Sequence, residues 1–390
     1  MKKPSAKICP RELSAHGDIR IDNYYWLNER ENPEVIAYLE EENLYQETMM
    51  KDTEPLQQQL YDEIVGRIKQ DDVSYPVKRN GYYYYTRYEE GKEYPVYCRR
   101  KDNMENPEQI LLDVNEMAVG YHYYDIGTYS VSPDNNMLAY SVDTVSRRQY
   151  DIWFKGLEDE RVKGLKDERC KGIEGEVIKN TTGNMVWAND NETVFYSVKD
   201  ESLRSCKIMR HKLNTSPDDD VLVYYEEDTA FNCFVGKSKS KRYIMIVSES
   251  TLSSEVRFVD ADNPDGEFKI FQERQDDMLY GIGHYEDHFY ILTNADGAKN
   301  FKVMKTPIDK TEKENWVELV AHRDDVLIED FDLFADFLVI EERHQGLIKI
   351  RVMTWDFKTD YYIDFGEPTY TAYSAGCPDF DSHLLRYGYN

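Results

Sequence analysis

The sequence predicts an all-β fold, a seven-bladed β-propeller with its last blade incomplete, preceded by a short helical amino-terminal segment. Three observations carry this. A unit of short strand, polar turn, stronger strand, loop and third strand recurs along most of the chain. Each copy opens on turn chemistry: Arg79-Asn80-Gly81, Ser132-Pro133-Asp134, Asn189-Asp190-Asn191, Lys237 to Lys241, Glu286-Asp287-His288, Ala335-Asp336 and Pro378-Asp379. The strands are rich in β-branched and aromatic residues, and the 32 tyrosines suit half-buried strands, where a ring packs while its hydroxyl reaches a polar partner.

Residues 1–72 read as helical. Asn32 is placed to cap a helix with Pro33 at its first position and Val35, Ile36 and Leu39 on its apolar face. A second helix is expected to open near Thr53 and Pro55, with Leu56, Leu60, Ile64 and Ile68 in one stripe. After Asp71 and Asp72 the pattern turns to β, and residues 73–390 read as propeller. The copies stack as GYYYYTRYEEGKEYPVYCRR, LAYSVDTVSRRQYDIWFKGL, VFYSVKDESLRSCKIMRHKL, IMIVSESTLSSEVRFVDADN, FYILTNADGAKNFKVMKTPI and LVIEERHQGLIKIRVMTWDF, and a seventh begins as LLRYGYN. Their spacing of roughly 45 to 56 residues is near that of propeller blades. One such sheet buries little alone; a ring of them buries both faces of each.

Composition excludes several functions. A net charge of −27 argues against nucleic acid as a partner, because phosphate backbones need basic surface. No apolar run is long enough for a membrane helix, and the start MKKPSAKICP lacks the apolar core of a secretory signal. A cytoplasmic protein follows as the expectation, with the six cysteines Cys9, Cys98, Cys170, Cys206, Cys233 and Cys377 as free thiols and the N-x-S/T triplets at Asn180, Asn191 and Asn214 as chance matches. No CxxC pair signals a metal site.

No catalytic set is visible. G-x-S-x-G and H-E-x-x-H are absent. His322-Arg323-Asp324 matches a kinase triplet without the motifs that accompany it. DADNPDGEF and TNADGAKN fall short of calcium loops, because Ala261 and Leu292 stand where the first carboxylate belongs. Trp355-Asp356 occurs once, where a WD40 array would repeat it. The basic run from Lys237 to Arg242 reads as a solvated turn. Arg147 and Arg148, in the loop of the second copy, are the candidate contact residues: paired arginines can clamp a carboxylate on a peptide or on a neighbouring domain.

HGDIRIDNYYWLNER resembles the opening of prolyl oligopeptidase relatives. NPEVIAYLEEEN, VSPDNNMLAYSVDTVSRRQYDIW, NTTGNMVWANDNETVFY, STLSSEVRFVDADNPDGEF and DFGEPTYTAY resemble the oligopeptidase B (protease II) branch, and the likeness runs from about Ile8 to Asn390. The resemblance implies a serine peptidase that cleaves short peptides after arginine or lysine, without a cofactor. It also implies that the amino-terminal segment packs on an α/β-hydrolase domain bearing the Ser-Asp-His triad. The sequence stops before that domain, so no catalytic residue carries over. The competing reading is a stand-alone propeller that serves as an interaction module. The two helices with apolar stripes argue against it, since a free scaffold has no use for exposed apolar faces.

Overall fold

A computed structural model describes residues 2–157 and 176–390. The chain divides into two compact units, Met1–Gln70 and Asp71–Asn390.

The first unit departs from the all-helical expectation. It opens with a β-hairpin, Arg11–Ala15 against Asp18–Asp22. His16 and Gly17 make its turn, both at positive φ. The hairpin is short and exposed: only Ile19 and Ile21 alternate along its second strand, and neither is buried. Helix α1 (Pro33–Met50) begins as expected: the Asn32 side chain accepts from the Glu34 N–H and Pro33 is the first helical residue. Of its expected apolar face only Val35 is buried, whereas Ile36 and Leu39 are exposed. Helix α2 (Glu54–Val65) follows after a single 3₁₀ turn at Lys51–Thr53. It carries Leu56, Leu60 and Ile64, all exposed; Ile68 lies beyond its end.

The second unit is a β-propeller of antiparallel sheets. Among the described residues it holds four four-stranded sheets (residues 77–113, 232–272, 280–320 and 326–362), one seven-stranded sheet (residues 125–225), and a hairpin of Ala372–Ser374 with Tyr387–Tyr389. The seven-stranded sheet arises from one long strand, Val177–Trp187. Its start pairs with Tyr150–Gly156 and its end with Thr193–Lys199, with bulges between. Gly183 permits the bend: its φ is +88°, and a Cβ there would meet the Tyr150 ring at 3.0 Å.

Apolar residues between neighbouring sheets form the core. The cluster between the sheets of residues 232–272 and 280–320 is aromatic, with Tyr243, Phe258, Phe271, Tyr280, Phe289 and Trp316. Phe258, Phe271 and Phe289 meet edge to face with centroids 5.1 to 6.2 Å apart. Trp355 is spent on packing, stacked at 4.3 Å on Tyr285 of the preceding sheet.

The first and second strands of each sheet meet in tight turns at one end of the unit, the turn end. Hydrogen bonds there, most of them from side chains, link each turn to the next. The Asn80 amide donates to Pro133 O (2.7 Å), Asn191 Oδ1 accepts from Asp134 N (2.8 Å), and the Asn189 amide donates to Lys241 O (3.1 Å). Ser240 Oγ bonds His284 Nδ1 (2.8 Å), Tyr285 donates to Ala335 O (3.0 Å), and Ala335 N donates to Phe380 O (3.0 Å). Asp379 completes the circuit by accepting the Asn80 N–H at 2.8 Å. Sequence-distant turns, 299 residues apart, thus close the ring. Asp379→Ala is expected to lower the unfolding free energy by about 1.5 to 3 kcal/mol, the range for a hydrogen bond to a charged group. Chemical denaturation measures this, and an unchanged midpoint would mean that apolar packing alone holds the last hairpin.

Candidate functional site

The opposite end of the sheets, the loop end, holds the connections between second and third strands and the links from sheet to sheet. The Arg147–Arg148 loop lies here, between strands Met137–Asp143 and Tyr150–Gly156. The unit also begins at this end. Ser74 N donates to Thr86 O, and Tyr88 N donates to Asp72 O, beside the far end of strand Tyr82–Arg87.

One buried carboxylate builds the Arg147–Arg148 loop. Asp143, 1% exposed, accepts from Val145 N (2.8 Å) and Ser146 N (3.1 Å) on Oδ1, and from Arg147 N (3.0 Å) and Arg148 N (2.7 Å) on Oδ2. Four N–H groups converge on one side chain, which holds Ser146 and Arg148 at positive φ. Both guanidinium groups remain exposed, and neither has a carboxylate within ion-pair distance among the described residues. Lys199 sits close by. Burial lowers its amine pKa and the charge of Arg148 adds to that, while Asp143 opposes both. The result is a rigid, positively charged corner with free donors.

Exposed apolar side chains lie at the same end: Val73, Tyr75, Tyr88, Val119, Tyr121, Val145, Leu203 and Leu252. Tyr75 at 85% and Val119 at 78% are almost fully in solvent. Residues so apolar on loops mark a surface suited to burial against another body. Asp143 was overlooked in the sequence, although an aspartate ending a strand before a short polar loop is the signal for this type of turn.

At the turn end the basic run departs from its reading as a solvated turn. Lys237 Nζ donates to Trp187 O (2.9 Å) and Asn189 Oδ1 (2.6 Å) of the preceding sheet. Burial pushes its amine down to about 8. Lys239 Nζ pairs with Asp332 at 2.7 Å and stands 3.3 Å over the Phe334 ring. Only Lys241 and Arg242 are exposed. Both lysines border a cavity of about 310 Å³, together with Gly281, Gly283, His284 and Asp330. Burial raises the Asp330 carboxyl, as do the nearby charges of Glu341 and Asp332.

The remaining motif candidates are structural. Arg323, just before the strand Val326–Leu333, pairs with Glu342 and Tyr362 of the sheet that strand opens. Asp296 of TNADGAKN pairs with Lys302 (3.3 Å) and Lys313 (2.7 Å), and DADNPDGEF folds into consecutive turns. No group of three or more metal-ligating side chains occurs among the described residues, and no described helix is long and apolar enough to cross a membrane. Cys9, Cys98, Cys206, Cys233 and Cys377 are free thiols; Cys170 lies outside the described residues.

The family model "Prolyl oligopeptidase, N-terminal beta-propeller domain" matches residues 4–390. The chain belongs to the prolyl oligopeptidase family. A dipeptidyl aminopeptidase BI of Pseudoxanthomonas mexicana is 42% identical over 100% of the chain and 54% of its own length. Protease 2 of Moraxella lacunata is 32% identical over 99% of the chain and 55% of its own length. Among solved structures, oligopeptidase B from Leishmania major superposes with a TM-score of 0.89 at 27% identity, covering 100% of this chain and 57% of that one. The chain therefore spans about half the length of the curated relatives it matches, and that half is the family's amino-terminal propeller part.

Proposed function

We propose that this chain is the propeller, with its amino-terminal helical segment, of an oligopeptidase B-like serine peptidase that cleaves short peptides after arginine or lysine. The observation that carries the reading is the family match over residues 4–390, joined to the likeness to oligopeptidase B. The proposed ring has seven blades, with the strand Val177–Trp187 shared between two of them. In the proposed whole protein, residues 1–72 pack on an α/β-hydrolase domain through the exposed Leu56, Leu60 and Ile64 face, and residues 73–390 limit which substrates reach the nucleophile. Peptides are the substrates and no cofactor takes part. A cytoplasmic location goes with this reading.

The loop end is the proposed docking face for the hydrolase domain. Its exposed apolar residues and the point where the unit begins support that assignment better than the interaction-module reading. Arg147 and Arg148 are proposed to clamp a carboxylate across this interface. In the peptidase formed with a family α/β-hydrolase domain, replacing both with alanine is expected to lower kcat/KM by about tenfold at low salt, with the deficit shrinking as salt screens the pair. Equal activity of the variant and parent at every ionic strength would reduce the two arginines to surface charge.

A second reading, release of dipeptides from free amino termini, draws on the 42% identity to dipeptidyl aminopeptidase BI. The two part on substrate. An amino-terminally blocked peptide ending in arginine before the scissile bond is cleaved under the first reading and spared under the second.

A further inference from the structure

A break in the alternation of one inner strand aims a carboxylate into a cavity. In Val326–Leu333, Ile328 stands opposite Glu342 and Asp330 opposite Glu341, so Glu329 is the extra residue of a β-bulge. Val326 and Ile328 are buried, and strict alternation would bury residue 330 with them. The bulge moves the packed face to Phe331 and Leu333 and leaves Asp330 open to solvent. The strand lies near the propeller axis. Its Asp332 meets Lys239 of the sheet of residues 232–272 across the sheet of residues 280–320, and radiating sheets permit such a contact only close to the axis.

Asp330 borders the cavity of about 310 Å³ without a counter-ion among the described residues. Its Oδ1 accepts the Phe331 N–H at 2.8 Å. Burial raises its carboxyl, and so do the neighbouring charges of Glu341 and Asp332, both negative. The cations of the cavity wall are engaged elsewhere: Lys239 by Asp332 at 2.7 Å, Lys237 by Trp187 O and Asn189. The cavity floor is bare at Gly281. Neither backbone nor neighbours demand a glycine there, since its φ is not positive and a Cβ would meet no atom within 4 Å. A larger side chain would fill the cavity instead. Met245, Leu292 and Phe331 supply apolar wall.

We propose that this cavity is a non-catalytic subsite for a basic side chain of a bound peptide, with the aliphatic stem over Gly281 and the cationic head on Asp330. Arginine and lysine suit it because their stems pack on apolar surface while their heads stay charged. The head neutralises Asp330 and relieves its repulsion with Glu341 and Asp332. This rests on the reading of the chain as part of a peptidase for basic peptides, and it adds a place on the propeller where a further basic residue is held.

The test needs no catalysis and uses the 390-residue chain. Acetyl-Gly-Arg-Gly-amide, followed by ligand-observed NMR, is expected to bind with a dissociation constant on the order of 1 mM. The citrulline peptide, similar in shape but uncharged, is expected to bind at least about tenfold more weakly. Asp330→Asn and Gly281→Leu are each expected to weaken the arginine peptide at least about fivefold, the first by removing the charge and the second by filling the floor. Asp219→Asn removes one exposed carboxylate from a surface turn and is expected to stay within about twofold of the parent, which separates the site from the general pull of a chain of charge −27 on cations. Agmatine carries the same head without a peptide. Agmatine binding more than about fivefold tighter than the peptide would mean that the cavity takes free amines and excludes a peptide backbone, and would overturn the proposal. So would absence of binding by the parent, or unchanged binding by Asp330→Asn; if that variant does not fold, unchanged binding by Gly281→Leu decides. A peptidase fusion that fails to cleave after arginine would count against the catalytic reading and leave this result standing.

Discussion

Replacing His211 with alanine is expected to cost about 3 to 5 kcal/mol of stability, the range for breaking a buried ion pair by removing one partner. The ring is fully buried, with Nδ1 2.6 Å from Asp220 Oδ1 and Nε2 2.5 Å from Glu176 Oε1. It stacks on Phe154, and Tyr196 donates to the other Asp220 oxygen at 2.7 Å. Without the imidazolium, two carboxylates face one another in a dry site. Burial disfavours the charged ring, but the two carboxylates outweigh it and push the pKa up from 6.5 to about 9. The folded protein therefore holds a proton that the unfolded chain gives up between those values. The stabilisation is complete below pH 6.5 and is lost as pH rises through 9, a span worth about 3 kcal/mol. Lys237 works in the opposite sense between its depressed value of about 8 and 10.5, so pH 6.5 to 8 is the clean window. Urea titrations across that window should show stability falling in the parent and flat in His211→Gln. A parent that gains stability from pH 6.5 to 8 would contradict the assignment.

Much of this fold was legible because repetition is a sequence property. Asn80-Gly81 and Ser132-Pro133-Asp134 are turns by their own chemistry, and strands such as Met137–Asp143 declare themselves by their apolar and aromatic content. The closure of the ring was not legible. Nothing local says that Asp379 reaches the Asn80 N–H, because that bond joins the two ends of the propeller. The lysine run misled for the same reason. Lys237 and Lys239 look like a solvated turn until the neighbouring sheets supply Trp187 O, Asn189, Asp332 and Phe334. The amino-terminal hairpin was missed although Asp18-Ile19-Arg20-Ile21-Asp22 alternates, because five residues are a short signal and neither isoleucine is buried. Arg147 and Arg148 were found as a charge pair. The carboxylate that shapes their loop, Asp143, emerged only from the geometry.

The larger expected effect is on activity. Peptide hydrolysis by a serine peptidase needs a positioned nucleophile, a base to activate it and donors for the oxyanion. The 390 residues contain no G-x-S-x-G, the motif that sets a nucleophilic serine on a strand-to-helix turn. The described histidines whose partners are known are committed elsewhere: His211 to two carboxylates, His284 to Ser240, His344 to Asp325 and His383 to Asp336. Loss of a whole catalytic set removes essentially all of an acceleration that spans about 10⁶-fold or more. The most direct measurement is hydrolysis of an amino-terminally blocked Arg-Arg reporter, with fluorophosphonate labelling alongside. It is made on residues 1–390 alone and on the same residues joined to a family α/β-hydrolase domain. The account expects no turnover and no label from the first, and both from the second. Hydrolysis by residues 1–390 alone, abolished by the fluorophosphonate, would contradict it.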